Sequence, residues 1–377
     1  MNTIIVLGAG MVGRTMAIDL TTKHKVTLAD FSTPALAASK QKCDALNTLQ
    51  IDVTDKTTLQ KTLQSFDLVI CAVPGFLGFN TLKSIIEARK NVIDISFFPE
   101  DALALNTLAI ENNVTAIVDC GVAPGMGNII LGHYNEQLNI TDFECLVGGL
   151  PKVKKWPFNY KAPFSPVDVI EEYTRPARYV ENGNIIVKEA LSDVELVNFK
   201  GVGTLESFNS DGLRSLIYTM PHIKNMKEKT LRYPGHVEYV SVLKKSGFFN
   251  TKTINLNGTE ISPLEFSSKV LFNEWKLGDT EEELTVMRIT IKGTDKKGHK
   301  KTIVYHLNDT YCPETQTSSM ARTTGYTATA AANLFLEGLF NKKGVFPPEL
   351  IGKEKGVFNY VLKYLKDRDI IYRKEDL

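Results

Sequence analysis

The sequence Asp119-Cys120-Gly121-Val122-Ala123-Pro124-Gly125-Met126-Gly127-Asn128 sets a carboxylate directly before a turn rich in glycine. Such a turn lets a ligand approach the backbone, and an adjacent carboxylate whose pKa is raised by partial burial can take a proton from a bound amine. A helix cap or a strand-end aspartate bonded to backbone explains Asp119 as well. Glu206-Ser207-Phe208-Asn209-Ser210-Asp211-Gly212-Leu213-Arg214 supplies amide, hydroxyl and guanidinium groups. Arg214 can clamp a carboxylate through two parallel hydrogen bonds, which lysine cannot reproduce; a structural salt bridge is its rival role. In Thr230-Leu231-Arg232-Tyr233-Pro234-Gly235-His236 the imidazole reads as exposed in a turn, able to bind or to relay a proton, or as an ordinary loop histidine. Trp156 and Tyr160, ahead of Arg175 and Arg178, suit an alkyl chain that ends in a carboxylate, although core packing also accounts for the aromatics and a plain surface charge for Arg175.

These groups need a partner that carries out redox or group-transfer chemistry, and the N-terminus offers one. The apolar run Thr3 to Leu7 leads into Gly8-Ala9-Gly10-Met11-Val12-Gly13, a helical stretch to Thr22, and a second strand ending at Asp30, 17 residues beyond Gly13. Gly8 permits the sharp turn, Gly10 lets a pyrophosphate approach, and Gly13 lets the helix pack against the strand. The N–H groups at the helix start then face the phosphates. A carboxylate at Asp30 accepts hydrogen bonds from the adenosine ribose and repels a 2′-phosphate, so the expected cofactor is NAD. The alternative is a glycine-rich turn that binds no nucleotide.

Strand-like and helix-like segments alternate as far as Asp119, which implies a doubly wound parallel sheet with ligands beyond the carboxyl ends of its strands. Asp30, Asp52, Pro74, Ser96 and Asp119 stand at such ends and should ring one crevice. Cofactor contacts are accordingly expected at Gly8, Gly10, Met11, Val12, Gly13, Asp30, Asp52, Val53, Ala72, Val73, Pro74 and Ser96. From about residue 140 the pattern changes to strands at Asp142–Gly148 and Asn184–Glu189 and a hairpin of Thr285–Ile291 with Lys301–Leu307, joined by a polar loop from Gly293 to Lys300. Ser165-Pro166 and Ser262-Pro263 are helix starts. Helices are expected at Asn80–Lys90, Ile129–Glu136, Thr323–Leu339 and Gly356–Asp367. The fold class is thus α/β, an N-terminal Rossmann domain (1–125) followed by an α+β mixed-sheet catalytic domain (126–322), with a C-terminal helical segment (323–377) packing back on the first domain.

Composition narrows the partners. The 377 residues carry 44 basic and 43 acidic side chains, a net charge of +1, so no overall field favours nucleic acid or an anionic membrane. Five scattered cysteines suit free thiols in a reducing compartment, and no apolar run reaches the ~18 residues of a membrane helix. A cytoplasmic protein is expected, with no metal, since the six histidines form neither an HExxH nor a Cys/His cluster.

The chain resembles the saccharopine dehydrogenase-like proteins, and within them the lysine 6-dehydrogenase branch. The resemblance rests on VLGAGMVGR, AVPGFLGF at 72–79, DISFFPED at 94–101, DCGVAPGMGN at 119–128, VGGLP at 147–151, SPVDVIEEYTRPAR at 165–178, ESFNSDGLRS at 206–215, TLRYPGHVE at 230–238 and SSMARTTGYTA at 318–328. It implies a homo-oligomeric NAD-dependent oxidoreductase of amino-acid metabolism, acting in lysine degradation. The ε-carbon of L-lysine would give up a hydride, and hydrolysis of the imine would release ammonia and allysine, which cyclises to piperideine-6-carboxylate. By the same resemblance Asp119 takes the amine proton, Arg214 holds the α-carboxylate, and Trp156, Tyr160 and His236 shape the pocket, with Arg175 and Asn209 beside them. Gly10 and Arg214 should then border one cavity. Saccharopine reductase or carboxynorspermidine dehydrogenase activity on a secondary amine is the alternative; it needs a second carboxylate-binding group, which Arg175, Arg178 or Arg232 offers. A non-catalytic dinucleotide sensor is a third reading.

Overall fold

In β1 (Thr3–Leu7) alternate side chains enter different cores: Ile4 and Val6 belong to one buried cluster, Ile5 and Leu7 to another. A strand whose two faces are both buried must be covered on both sides, which is why these runs are continuously apolar. This computed structural model describes residues 1–376, apart from the side chains of residues 166, 167 and 376. The alternation continues through α1 (Met11–Thr21), β2 (Lys25–Asp30), α2 (Thr33–Lys42), β3 (Asn47–Gln50), α3 (Lys56–Leu63), β4 (Leu68–Cys71), α4 (Gly75–Glu87), β5 (Val92–Asp94), α5 (Asn106–Glu111) and β6 (Thr115–Ile117). The sheet order is β3-β2-β1-β4-β5-β6, all parallel.

The second domain contains α6 (Met126–Asn135), β7 (Leu138–Pro151), α7 (Pro166–Thr174), β8 (Ala177–Glu181), β9 (Asn184–Lys188), β10 (Glu195–Phe199), β11 (Gly203–Asn209), α8 (Leu216–Thr219), β12 (Asn225–Arg232) and α9 (His236–Lys245). A small hairpin, β13 (Ile254–Leu256) and β14 (Thr259–Ile261), precedes α10 (Pro263–Trp275), β15 (Glu283–Asp295) and β16 (Lys300–Thr310). Their sheet is mixed, because β12 runs parallel to β7 while β15 runs antiparallel to it. The β15–β16 hairpin is longer than its sequence pattern predicts. Gly293, read as the start of the loop, instead sits inside β15 at a register shift against β7, the usual place for glycine in a strand.

The remaining elements, α11 (Ser319–Leu336), β17 (Gly344–Phe346), α12 (Pro348–Gly352), α13 (Val357–Lys366) and β18 (Arg373–Asp376), tie both sheets together. Helix α11 lies on α1, where Gly325 sits against Met16 and Val12. Strand β17 adds a seventh parallel strand beside β6, and β18 pairs with β16 of the other sheet. Segments of three or four residues are too short to show a period, so neither was legible as a strand. Helix α4 begins at Gly75 rather than Asn80. Two glycines argue locally against helix there, but Gly78 packs where a side chain would strike Phe98 and Ser96, and tertiary contact overrides propensity.

Candidate active site

The carboxyl ends of the parallel strands open into a cleft of about 750 Å³ shared with the second domain. Of the expected cofactor positions, Gly8, Gly10, Met11, Val12, Gly13, Asp30, Asp52, Val53, Ala72, Val73 and Pro74 all line it. Ser96 does not: it is buried, and its backbone N–H and hydroxyl both donate to Asp94. Two of these features fit a dinucleotide. A Cβ at Gly10 would meet nothing within 4 Å, leaving open space at the start of α1. The Asp30 carboxylate accepts from Ala9 N–H at 2.6 Å and Ser32 N–H at 2.8 Å, which fixes it beside the glycine turn. Phe31, 75% exposed, adds an aromatic face to the same rim.

The opposite wall comes from α7, the end of β11 and β12. It carries Asp168, Glu171, Glu172 and Arg175, then Ser210 and Asp211, then Glu228, Thr230 and Arg232. Most of its charges are already matched. Arg178 grips Asp211 at 2.9 and 2.8 Å, and Arg232 donates to Glu172 at 2.9 Å while lying over the Tyr160 ring. Burial raises the pKa of Glu172, against the pull of Arg232. Asp168 accepts from Gly75 N–H at the start of α4, and burial pushes its carboxyl up to about 6. Arg175 is held by Glu171 at 2.9 Å and lies against Phe97, but its buried Nη1 has no hydrogen-bond partner. Glu228 is 4% exposed, and burial, reinforced by Glu172 and Asp211, raises it to about 8.

Several expected roles do not match these positions. Asp119 does line the cleft, but both its oxygens accept from Arg214 Nε at 2.9 Å. Arg214 also donates to the Phe98 carbonyl at 2.6 Å, and it borders a separate cavity of about 20 Å³ that Asp119 lines as well. Gly10 and Arg214 therefore do not border one cavity, and the substrate clamp expected of Arg214 is replaced by a structural ion pair. His236 is not an exposed loop residue; it opens α9 at 1% exposure, between the Tyr173 hydroxyl and the Phe158 carbonyl. Burial, with Arg232 nearby, lowers it to about 3, which favours the neutral imidazole held by those two partners. Trp156 is 80% exposed and does not line the cleft. Tyr160 is buried beneath Arg232 rather than on the wall. Asn209 points its amide to Ser192 and Asp193. Arg175 alone of the expected substrate contacts lines the cleft. Glu228 and Glu172 were missed, although Glu228, Thr230 and Arg232 stand at the period of two that places side chains on one face of a strand.

Among the described residues no group of three or more His, Cys, Asp and Glu is arranged to hold a metal ion, and no helix is long and apolar enough to cross a membrane. Models of the saccharopine dehydrogenase NADP binding domain and the saccharopine dehydrogenase C-terminal domain match residues 4–117 and 121–371. The chain belongs to the saccharopine dehydrogenase family. Its first 117 residues thus hold the dinucleotide-binding domain of that family. It is 23% identical to alpha-aminoadipic semialdehyde synthase, mitochondrial, of Rattus norvegicus, over 99% of this chain and 47% of that protein. It is 25% identical to saccharopine dehydrogenase [NADP(+), L-glutamate-forming] of Saccharomyces cerevisiae, over 72% of this chain and 62% of the other. The chain thus spans about half the length of the longer relatives it matches. The apo saccharopine dehydrogenase (L-Glu forming) structure from Saccharomyces cerevisiae shares the fold over 100% of both chains, with a TM-score of 0.80 and 20% identity.

Proposed function

We propose that this family member is an NAD-dependent amine dehydrogenase that oxidises the terminal primary amine of a lysine-like amino acid to an aldehyde and ammonia. One observation carries the reading: on the wall facing the glycine turn, the acidic groups Asp119, Asp211 and Glu172 each have a guanidinium, whereas Glu228 and Asp168 are in none of the ion pairs of the described residues, and Asp168 is taken up by the Gly75 N–H. A buried carboxyl without a counter-charge suits an ammonium group, and the unpartnered Arg175 Nη1 suits one carboxylate. One acidic and one basic opening match an amino acid with a distal amine. The dinucleotide supplies the hydride acceptor; the protein's share is to align the amine-bearing carbon with it and to manage protons.

A second reading, oxidation of a secondary amine of the saccharopine kind, is favoured by the names of the relatives and by Arg175, Arg232 and Lys276 bordering one cleft. Absorbance of reduced nicotinamide on adding NAD with L-lysine or with saccharopine separates the two. Turnover of lysine is expected; turnover of saccharopine alone replaces the first reading by the second, and turnover of no amine favours a dinucleotide sensor.

The preference for NAD over NADP rests on Asp30, with acidic Asp52 on the same rim. Asp30→Ala removes two hydrogen bonds to a charged acceptor and the repulsion of a 2′-phosphate. Affinity for NADH should fall by on the order of 10-fold, and the gap to NADPH should narrow. Fluorescence titration with each reduced cofactor checks this; unchanged discrimination would remove Asp30 from cofactor choice.

A further inference from the structure

We propose that Glu228 is the group that takes the proton from the substrate's nitrogen, an assignment that rests on the amine-dehydrogenase reading above. It stands on β12 in register with Thr230 and Arg232, on the strand face that lines the cleft. The neighbouring Lys229 serves the other face, where its amine meets the Asp193 carbonyl and Glu195. The chain makes room for this carboxyl. A Cβ on Gly212, which lines the same cleft, would lie 1.9 Å from Glu228 Oε1 and 2.3 Å from its Cδ.

The groups facing Glu228 come from several elements. Glu172 of α7 and Asp211 of the turn after β11 repel its charge, Arg214 offsets them in part, and Asp119 adds to the repulsion. The Cys145 thiol of β7 packs against it, and the Tyr179 hydroxyl of β8 donates to its backbone carbonyl. Burial is the largest influence, and together they hold the carboxyl at about 8. An acid with that pKa can both accept and return a proton near neutral pH. Asp119, gripped on both oxygens by Arg214, is less suited to the task.

In the step itself an ammonium N–H bond breaks, an O–H bond forms on Glu228, and the electron pair stays on nitrogen. That lone pair assists departure of hydride from the adjacent carbon to the oxidised dinucleotide, leaving a carbon–nitrogen double bond that water then hydrolyses. Charge balances, since an ammonium and a carboxylate become an amine and a carboxylic acid.

The test uses the intact chain and begins without turnover. In the complex with NADH, adding L-lysine at pH 7 should abolish the infrared band of one protonated carboxyl, because an ammonium partner favours the carboxylate. The same addition to Glu228→Gln should cause no such loss. A band that persists in the wild type, or an equal loss in the variant, overturns the proposal. With NAD, Glu228→Gln should lower kcat by on the order of 10²-fold or more and remove the rise in kcat/KM through about pH 8 that the free protein's carboxyl imposes, with NADH affinity unchanged. Gly212→Ala, which keeps the acid but displaces it, should lower kcat as well, and the double variant should be no slower than Glu228→Gln alone. A wild type that oxidises saccharopine but not lysine overturns the primary-amine reading, and the same variants with saccharopine then decide the role of Glu228. A Glu228→Gln protein with wild-type kcat overturns the proton role alone. A protein that binds neither amine overturns both.

Discussion

Asp119→Asn is expected to cost about 3–5 kcal/mol of stability, because it leaves the guanidinium of Arg214 buried without its counter-charge. Asp119 and Arg214 are each 5% exposed, so solvent does little to replace the lost partner. The substitution isolates the charge. Asp119 has φ of 53°, a left-handed conformation that asparagine tolerates, so the backbone need not move. Urea unfolding of the wild type, Asp119→Asn and Asp119→Asn/Arg214→Met measures the effect. The double variant should recover much of the loss, since removing both members of a buried pair is far less harmful than removing one. A proton acceptor at Asp119 instead predicts a large fall in kcat with the unfolding midpoint unchanged, and that outcome would return the role to Asp119.

Gly13→Ala is expected to weaken dinucleotide binding severely. The new Cβ would lie 2.0 Å from the Gly8 carbonyl oxygen and 3.0 Å from its carbon, both backbone atoms that cannot rotate away. Helix α1 must lift from the turn after β1, which also displaces the N–H groups at its start. Overpacking of this kind costs about 1–3 kcal/mol, and a displacement near 1 Å at the cofactor lowers productive binding by on the order of 10²-fold. Gly10→Ala is the control. Its Cβ would meet no protein atom within 4 Å, so stability should hold while NADH affinity falls. Thermal unfolding and NADH fluorescence titration separate the two variants, and equal loss of stability in both would contradict this packing. The pair asks whether each glycine serves the chain or the ligand.

The first domain was legible because its signals are local. Glycines at 8, 10 and 13, apolar runs at Thr3–Leu7 and Leu68–Cys71, and carboxylates at strand ends each report on a few neighbouring residues. The cofactor side of the cleft followed from them, apart from Ser96, whose hydroxyl turned inward to Asp94. The substrate side did not follow. Arg214 and Asp119 are 95 residues apart, and nothing near either one reveals that they pair. His236 looked exposed in a turn containing proline and glycine, yet Tyr173 and Phe158 enclose it from distant parts of the chain.

By itself the sequence determined the order of strands and helices in the first half, the dinucleotide turn and the acidic residue beside it, because backbone conformation and hydrophobic period act over a few residues. Only the tertiary structure decided which of the charged side chains neutralise one another and which face the cleft. Electrostatic pairing depends on distance in space: it locks Arg214 onto Asp119 and Arg232 onto Glu172, ties Asp168 to the Gly75 N–H, and leaves Glu228 facing the cleft without an ion-pair partner.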